Sequence, residues 1–288
     1  SPLDSLVRLL DAKGKVIAWN DDFMVKDKHL HVNPEGLLTH HADSYLIAEL
    51  PADGTYYVKL SDTQEKGGNA YAYRLRVSAP QPDFDLRVTP SGMKIRGSHT
   101  AKIHAHALRK DGFDGPIEVS VKDKKSGFII GGGVIQTGRD NVRMTITAPH
   151  KAPKEPVNLL FEGRAMVDGK TICRTATPAD DVMQAFLYRH LVPTKSSMFK
   201  IGKEKWKRPK VEIANEIPVK VPDGGKVKIT VLTKHRVTLK DTKFVLNKPP
   251  KGMSIQDFTV IPKKGVEFTL KVDEGAQKIG FADNLIVD

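Results

Sequence analysis

The feature that most constrains this chain is a series of short segments with strictly alternating polarity, separated by glycine-containing turns. In residues 71–77, tyrosine, leucine and valine occupy every second position, and alanine or arginine lies between them. An alternation of period two places apolar side chains on one face of a β-strand and polar side chains on the other. Such strands are typical of antiparallel sheets with one buried face and one solvated face. The pattern therefore predicts an all-β protein.

Similar segments recur along the whole chain, and 23 glycines and 18 prolines supply the turns between them. The predicted strands are residues 6–10, 15–19, 45–50, 55–60, 71–77, 83–88, 101–108, 117–121, 142–148, 157–167, 226–231 and 266–272. Residues 182–191 fit a short helical turn or an edge strand, and the strand is the favoured prediction. Three glycines at 131–133 have no helix after them, so they indicate a turn or bulge rather than a phosphate loop.

The length of 288 residues exceeds one ordinary domain and predicts two or three. A stiff Ala-Pro-Gln-Pro linker at residues 79–82 ends the first unit, and the pattern blurs again near residues 179–181. We therefore predict three consecutive β-sandwich domains, over 1–80, 83–178 and 181–288. The second and third share an order of strands that resembles a weak internal repeat, which favours two immunoglobulin-like sandwiches.

The formal net charge of +12 is distributed unevenly. Residues 1–80 carry a net charge of −2, residues 81–180 carry +5, and residues 181–288 carry +9. The basic last third predicts either contact with an acidic polymer or a lysine-rich solvated surface. Lysine outnumbers arginine there and few aromatic residues lie between the cations, which argues against nucleic acid. No apolar run reaches the ~18 residues of a membrane span.

The first unit resembles a known family through several separated segments. These are residues 4–14 (DSLVRLLDAKG), 18–22 (AWNDD), 43–45 (DSY), 50–58 (LPADGTYYV) and 71–75 (YAYRL). Together they resemble the bacterial pre-peptidase C-terminal domain family over residues 1–78. The resemblance implies a small jelly-roll-like sandwich beside secreted peptidases or other surface enzymes. It also implies that the opening strands of the family lie before Ser1, and that residues 23–41 form an unusually long insertion.

The second unit has a looser resemblance. The proline linker and the sequence FDGPI at residues 113–117 resemble immunoglobulin-like units that follow this domain in large bacterial envelope proteins. This resemblance covers roughly residues 83–178. It implies a secreted, periplasmic or cell-surface location.

The best candidate metal site is the loop of Asn20, Asp21 and Asp22, with Asp27 and Asp43 approaching from the insertion and the next segment. Closely spaced carboxylates and an amide oxygen suit Ca²⁺, which takes six to eight oxygen ligands. Some members of the family that the first unit resembles bind calcium. The alternative is ordinary turn chemistry, in which Asn and Asp side chains bond to their own backbone.

No arrangement of side chains in the sequence indicates an active site. Ser44 lies near His41 and Asp43, but no strand–turn–helix motif presents a nucleophile. His104 and His106 lie two residues apart on what we expect to be an exposed polar strand face, about 6–7 Å from each other. The single cysteine, Cys173, excludes an internal disulfide.

These observations predict a non-catalytic accessory, adhesion or spacer region of a larger exported bacterial protein. One alternative is a carbohydrate- or polyanion-binding module that uses the basic last third or the aromatic residues Trp19, Tyr45 and Trp206. A second is an accessory part of a secreted hydrolase or peptidase. A third is a structural subunit in which a neighbouring chain supplies a strand to an open sheet edge. The expected partners are accordingly other domains of a parent protein, a neighbouring chain, a polysaccharide or another acidic polymer.

Overall fold

The computed structural model describes residues 3–24, 37–38, 40–41, 44–151, 153–184, 188–207, 211–233, 244–262 and 264–288. Over these residues the chain is built of β-strands and a single 3-10 turn at Lys124–Ser126, which confirms the predicted all-β class. Among the helices of the described residues, none has the length and apolar character needed to cross a membrane.

The strands fall into three consecutive groups. The first group is β1 (Ser5–Leu10), β2 (Val16–Asn20), β3 (Phe23–Met24), β4 (Leu37–Leu38), β5 (His40–His41) and β6 (Tyr57–Asp62). The second is β7 (Asp83–Thr89), β8 (Gly92–Arg96), β9 (Thr100–Lys110), β10 (Ile117–Val121), β11 (Ile129–Gly131), β12 (Val134–Ile135), β13 (Asn141–Thr147), β14 (Val157–Asn158), β15 (Phe161–Val167), β16 (Lys170–Thr175), β17 (Thr177–Gln184), β18 (Tyr188–Pro193) and β19 (Met198–Gly202). The third is β20 (Val211–Ile213), β21 (Lys226–Thr233), β22 (Met253–Ile261) and β23 (Gly265–Val272).

The first group forms a three-stranded antiparallel sheet in the order β2-β1-β6. The predicted hairpin is present, and Gly14 takes the positive φ of 80° that its turn requires. The strands predicted at 45–50 and 71–77 are not found, because both segments run without a ladder partner among the described residues. Alternation alone does not make a strand when no neighbour receives its backbone hydrogen bonds.

The second group encloses the largest core. A seven-stranded sheet in the order β11-β13-β9-β7-β17-β18-β4 faces a four-stranded sheet, β12-β10-β15-β16, and a three-stranded sheet, β14-β19-β8. Alternate residues of β13 are buried, as its sequence predicts. Gly163 on β15 lies so close to the opposite sheet that a Cβ atom there would overlap Leu86. The sheets therefore meet at close-packed distance.

The second core extends beyond its predicted boundary at residue 178. β17 and β18 pair antiparallel, so residues 182–184 and 188–191 are strand as favoured, but they belong to two strands where the sequence predicted one. β19 pairs in parallel with β8, and its Phe199 and Ile201 are buried in the same core. Residues 198–202, assigned from sequence to the third unit, thus belong to the second core, because their apolar face is covered there.

The third group is a four-stranded antiparallel sheet in the order β20-β21-β23-β22. Its small core centres on Ile229, Phe268 and Leu270. Among the partly buried side chains packed against this centre, Val219, Val221, Leu246 and Leu285 come from segments outside the four strands. One face of the sheet is therefore covered largely by irregular chain.

Candidate binding surfaces

The loop predicted to bind calcium closes on itself through hydrogen bonds. The side-chain amide of Asn20 donates to the carbonyl of Asp22, and its oxygen accepts the N–H of Tyr45 at 2.9 Å. The carboxylate of Asp21 accepts the N–H of Asp22 at 2.9 Å. These bonds are turn chemistry, and they attach the end of β2 to the segment that follows the insertion.

The remaining predicted calcium ligands, Asp27 and Asp43, lie outside the described residues. No group of three or more His, Cys, Asp or Glu side chains suited to a metal ion occurs in the part of the chain that the structure describes. Asn20, Asp21 and Asp22 alone fall short of the six to eight oxygen ligands of Ca²⁺. The calcium site therefore stays a prediction that depends on Asp27 and Asp43.

Ser44 has a structural contact. Its hydroxyl lies 2.8 Å from that of Ser5, and its N–H donates to the Ser5 oxygen.

The prediction of an exposed face around His104 and His106 is wrong at His106, which is only 6% exposed. The two rings stack with centroids 6.1 Å apart, which agrees with the expected separation.

The inner face of the first sheet borders an open cleft of about 870 Å³. Its walls are the sheet and the two extended segments 44–50 and 71–78. Apolar lining residues from the sheet and from both segments include Val7, Leu60, Leu46, Leu75 and Val77. Leu75 and Val77 remain 45% and 76% exposed, so no close-packed second layer covers them among the residues that the structure describes.

One carboxylate connects the first unit to the second core. Asp111, in the turn after β9, accepts hydrogen bonds from the Tyr45 hydroxyl and from the N–H of Gln81. Burial, and then the hydrogen bond to Asp111, raise the pKa of Tyr45 to about 12. The hydrogen bond from Tyr45, followed by that from Gln81, lowers the pKa of Asp111.

The third group docks on the outer face of the seven-stranded sheet. The guanidinium of Arg143 on β13 donates to the side chain and carbonyl of Asn247 and to the carbonyl of Lys248, at 2.7–3.0 Å. The side-chain amide of Asn284 donates back to the Arg143 carbonyl at 2.7 Å. It rests on Gly132, where a Cβ atom would overlap it. We call this region the C-terminal junction.

Two ion pairs flank the C-terminal junction. Arg139 contacts Asp283 at 2.8 Å and lies over the ring of Phe281, at 5.1 Å from its centroid. Lys102 contacts Asp288 at 2.7 Å. Hydrogen bonds from Lys102 and then Asn247 lower the pKa of Asp288.

A second charged surface lies on the outside of the three-stranded sheet. Strands β8 and β19 run in parallel with Lys94 directly beside Lys200, while their alternate residues face the core. The chain leaves β19 through a further run of exposed cations around Trp206. We define the basic face by the residues Lys94, Arg96, Lys200, Lys203, Lys205, Trp206 and Lys207.

The three aromatic residues proposed for ligand binding have different surroundings. Trp19 and Trp206 are exposed, whereas Tyr45 is engaged by Asp111. Lys94 and Arg96 were not predicted from sequence as binding residues, because they belong to the second core and not to the basic last third. Because these two cations alternate with Met93 and Ile95, the sequence could have predicted a strand with one cationic face. The parallel pairing of β8 with β19 could not be predicted from the sequence, because it joins strands that are far apart in the chain.

Comparison with known proteins finds no match to this chain among protein-family models or curated protein sequences.

Proposed function

We propose that this chain is a non-catalytic accessory, adhesion or spacer region of a larger exported bacterial protein. The observation that carries the proposal is the C-terminal junction, where side chains of the third group bond to the backbone and side chains of β13. A spacer transmits position only if its consecutive units hold a fixed orientation. The resemblances of the first and second units support the exported bacterial setting.

The chemistry of the C-terminal junction suits a fixed orientation. A guanidinium has donors in a rigid planar fork, so the three acceptors of Arg143 define one geometry. The flanking exposed ion pairs each add little stability, because water and salt screen them. We therefore assign the orientation of the third group mainly to Arg143, Asn247 and Asn284.

Small-angle scattering of the whole chain tests this proposal. The wild type should give one compact distance distribution, and Arg143→Ala should broaden it and lengthen the maximum dimension. Arg164→Ala is the matched control, because Arg164 pairs with Glu162 on its own strand, away from the C-terminal junction. A broad distribution in the wild type, or no change in Arg143→Ala, would contradict the proposal.

The exported setting has its own test. An antibody raised against the chain should detect it in the envelope or medium of fractionated source cells. Detection confined to the cytosol would overturn this part of the proposal.

The open cleft favours a second candidate function, a subunit completed by a strand from a second copy of the chain. Residues 71–78 are extended, alternate in polarity and have no ladder partner among the described residues. An extended edge of this kind can pair with its own counterpart around a two-fold axis. Dimerisation in sedimentation, with slower amide exchange at 71–78, is expected. Fast exchange and a monomer at every concentration would exclude it.

Calcium binding by the first unit is a further proposal, supported by the family resemblance. Thermal unfolding of the whole chain with Ca²⁺ and with chelator tests it, since a ligand of the folded state raises Tm. A rise that disappears in Asp27→Asn/Asp43→Asn would support the predicted ligands. No rise in the wild type would leave Asn20, Asp21 and Asp22 with their turn role alone.

A further inference from the structure

We propose that the basic face binds an anionic polysaccharide, one that carries carboxylate or sulfate groups along an extended chain. The site lies on the outside of β8 and β19 and continues into residues 203–207. This inference does not rest on the spacer proposal, because none of its residues lies in the C-terminal junction.

The central observation is the direct pairing of Lys94 and Lys200. The two residues are register partners on adjacent strands, about 4.8 Å apart at their Cα atoms, and both are exposed. Like charges opposite one another destabilise a sheet. Neither lysine forms an ion pair with any residue that the structure describes. An anionic ligand would relieve this repulsion.

The apolar side of the same strands fixes the cations in place. Phe199, Ile201 and Ile95 are buried, so the residues between them must point outward. Lys200 is further oriented by a hydrogen bond from its ammonium group to the carbonyl of Lys154, at 2.5 Å. The charges therefore stand on a rigid, nearly flat surface.

One carboxylate, Glu204, lies beside the basic face and is already engaged. The N–H of Lys205 donates to it, and His99 lies 3.8 Å away. The bond from Lys205, together with the nearby charges of His99 and Arg96, lowers the pKa of Glu204. Its carboxylate lies against His99 and forms no ion pair with Lys94 or Lys200.

Trp206 supplies an aromatic contact. Its side chain is 72% exposed, and the ammonium of Lys205 lies 5.4 Å from the centre of its ring. An exposed ring next to cations offers an apolar platform for the flat face of a sugar whose acidic groups reach the lysines. A single aromatic and a single arginine fit nucleic acid poorly, since strand binding uses successive stacking rings and phosphate favours arginine.

Heparin is the probe for the test, with an oligothymidylate and anionic lipid vesicles as comparison ligands. The whole chain should bind heparin in about 50 mM NaCl and lose affinity as salt rises. Lys94→Gln/Lys200→Gln should lower that affinity about tenfold. Lys122→Gln/Lys170→Gln is the control, because it removes the same charge from exposed positions at the four-stranded sheet that are not part of the basic face.

Unfolding measurements separate lost binding from lost folding. Because the like-charge pair is removed, Lys94→Gln/Lys200→Gln should melt at the same temperature as the wild type or above it. Trp206→Ala should weaken heparin binding with little change in its salt dependence. Equal losses in the lysine variant and its control would show a general charge effect and overturn the site. Tighter binding to the oligothymidylate or to the vesicles would overturn the polysaccharide.

Discussion

The first unit and the second core begin from the same sequence pattern and reach different structures. Residues 141–147 alternate in polarity, form strand β13 and bury Val142, Met144 and Ile146 almost completely. Residues 71–77 alternate as strictly, yet Tyr73, Leu75 and Val77 stay exposed. The difference is the partner. β13 pairs with β11 and β9, and the other segment has no ladder partner within the described residues.

The comparison shows that alternation specifies which face of a segment is apolar, and a second layer decides whether that face is buried. In the second core, the four-stranded and three-stranded sheets supply that layer opposite the seven-stranded sheet. In the first unit, one three-stranded sheet faces a cleft. Stability should therefore be concentrated in the second core, which the following substitutions test from the largest effect to the smallest.

Phe161→Ala should destabilise the second core by about 3–5 kcal/mol, because the buried ring leaves a cavity beside Phe199. Tyr73→Ala in the first unit should change stability by no more than about 0.5 kcal/mol. Urea unfolding followed by circular dichroism measures both. Similar losses in the two variants would show that residues 71–77 are packed in solution, and the contrast between the units would fail.

Gly163→Ala should destabilise the chain by about 1–3 kcal/mol, since the added methyl group overlaps Leu86 in the opposite sheet. Gly54→Ala is the matched control in the first unit. A Cβ at Gly54 meets no atom within 4 Å. Equal effects of the two substitutions in the same unfolding assay would contradict the close contact between Gly163 and Leu86.

The ion pair of Asp83 and Arg174 makes part of the second core sensitive to acid. Burial acts to raise the pKa of Asp83, but hydrogen bonds from Arg174 and the N–H of Phe84 outweigh it and lower the pKa. The pair therefore stabilises the fold above about pH 3.9, the ordinary value for Asp, and this contribution disappears as pH falls through the lowered pKa.

Asp83→Asn should cost about 1 kcal/mol at neutral pH, a small figure because Arg174 is 41% exposed. The difference from the wild type should vanish in acid. Arg174→Gln is the reciprocal control, and urea unfolding between neutral pH and pH ~3 measures both. A difference that persists unchanged in acid would contradict the assignment.

Tyr45→Phe should cost only about 0.5–1 kcal/mol, because it removes one hydrogen bond between the first unit and Asp111. Ultraviolet titration provides a sharper measurement. The raised pKa means that protonated Tyr45 stabilises the fold below about pH 10, and that this stabilisation is lost as pH rises towards about 12. The tyrosine that titrates at the highest pH in the wild type should be missing from the titration curve of Tyr45→Phe. Its persistence would assign the raised pKa to another residue.

Much of the fold could be predicted from local pattern. The hairpin of β1 and β2, the core strands β7, β9, β10 and β13, and the C-terminal strands β21 and β23 follow from alternation and turn chemistry. These signals reside in neighbouring residues, so a single sequence contains them. The two strands predicted at 45–50 and 71–77 failed because a ladder depends on a partner that local pattern does not specify.

The candidate sites were less predictable. Asn20, Asp21 and Asp22 were identified as a loop, and their hydrogen bonds follow turn chemistry. The basic face was only partly identified. Net charge located cations in the last third, but Lys94 lies more than one hundred residues before Lys200. Their proximity follows from a parallel pairing across that distance.

The sequence by itself determined the all-β class, the turn positions and the inward face of most strands, because period-two alternation and glycine conformations act over a few residues. The tertiary structure alone decided that β19 completes the second core, that Asn284 rests on Gly132 and that Lys94 stands beside Lys200. Each of these depends on contacts between residues far apart in the chain. Such contacts form where the chain can bury apolar surface and pair its backbone hydrogen-bonding groups at the same time, and this depends on the whole fold.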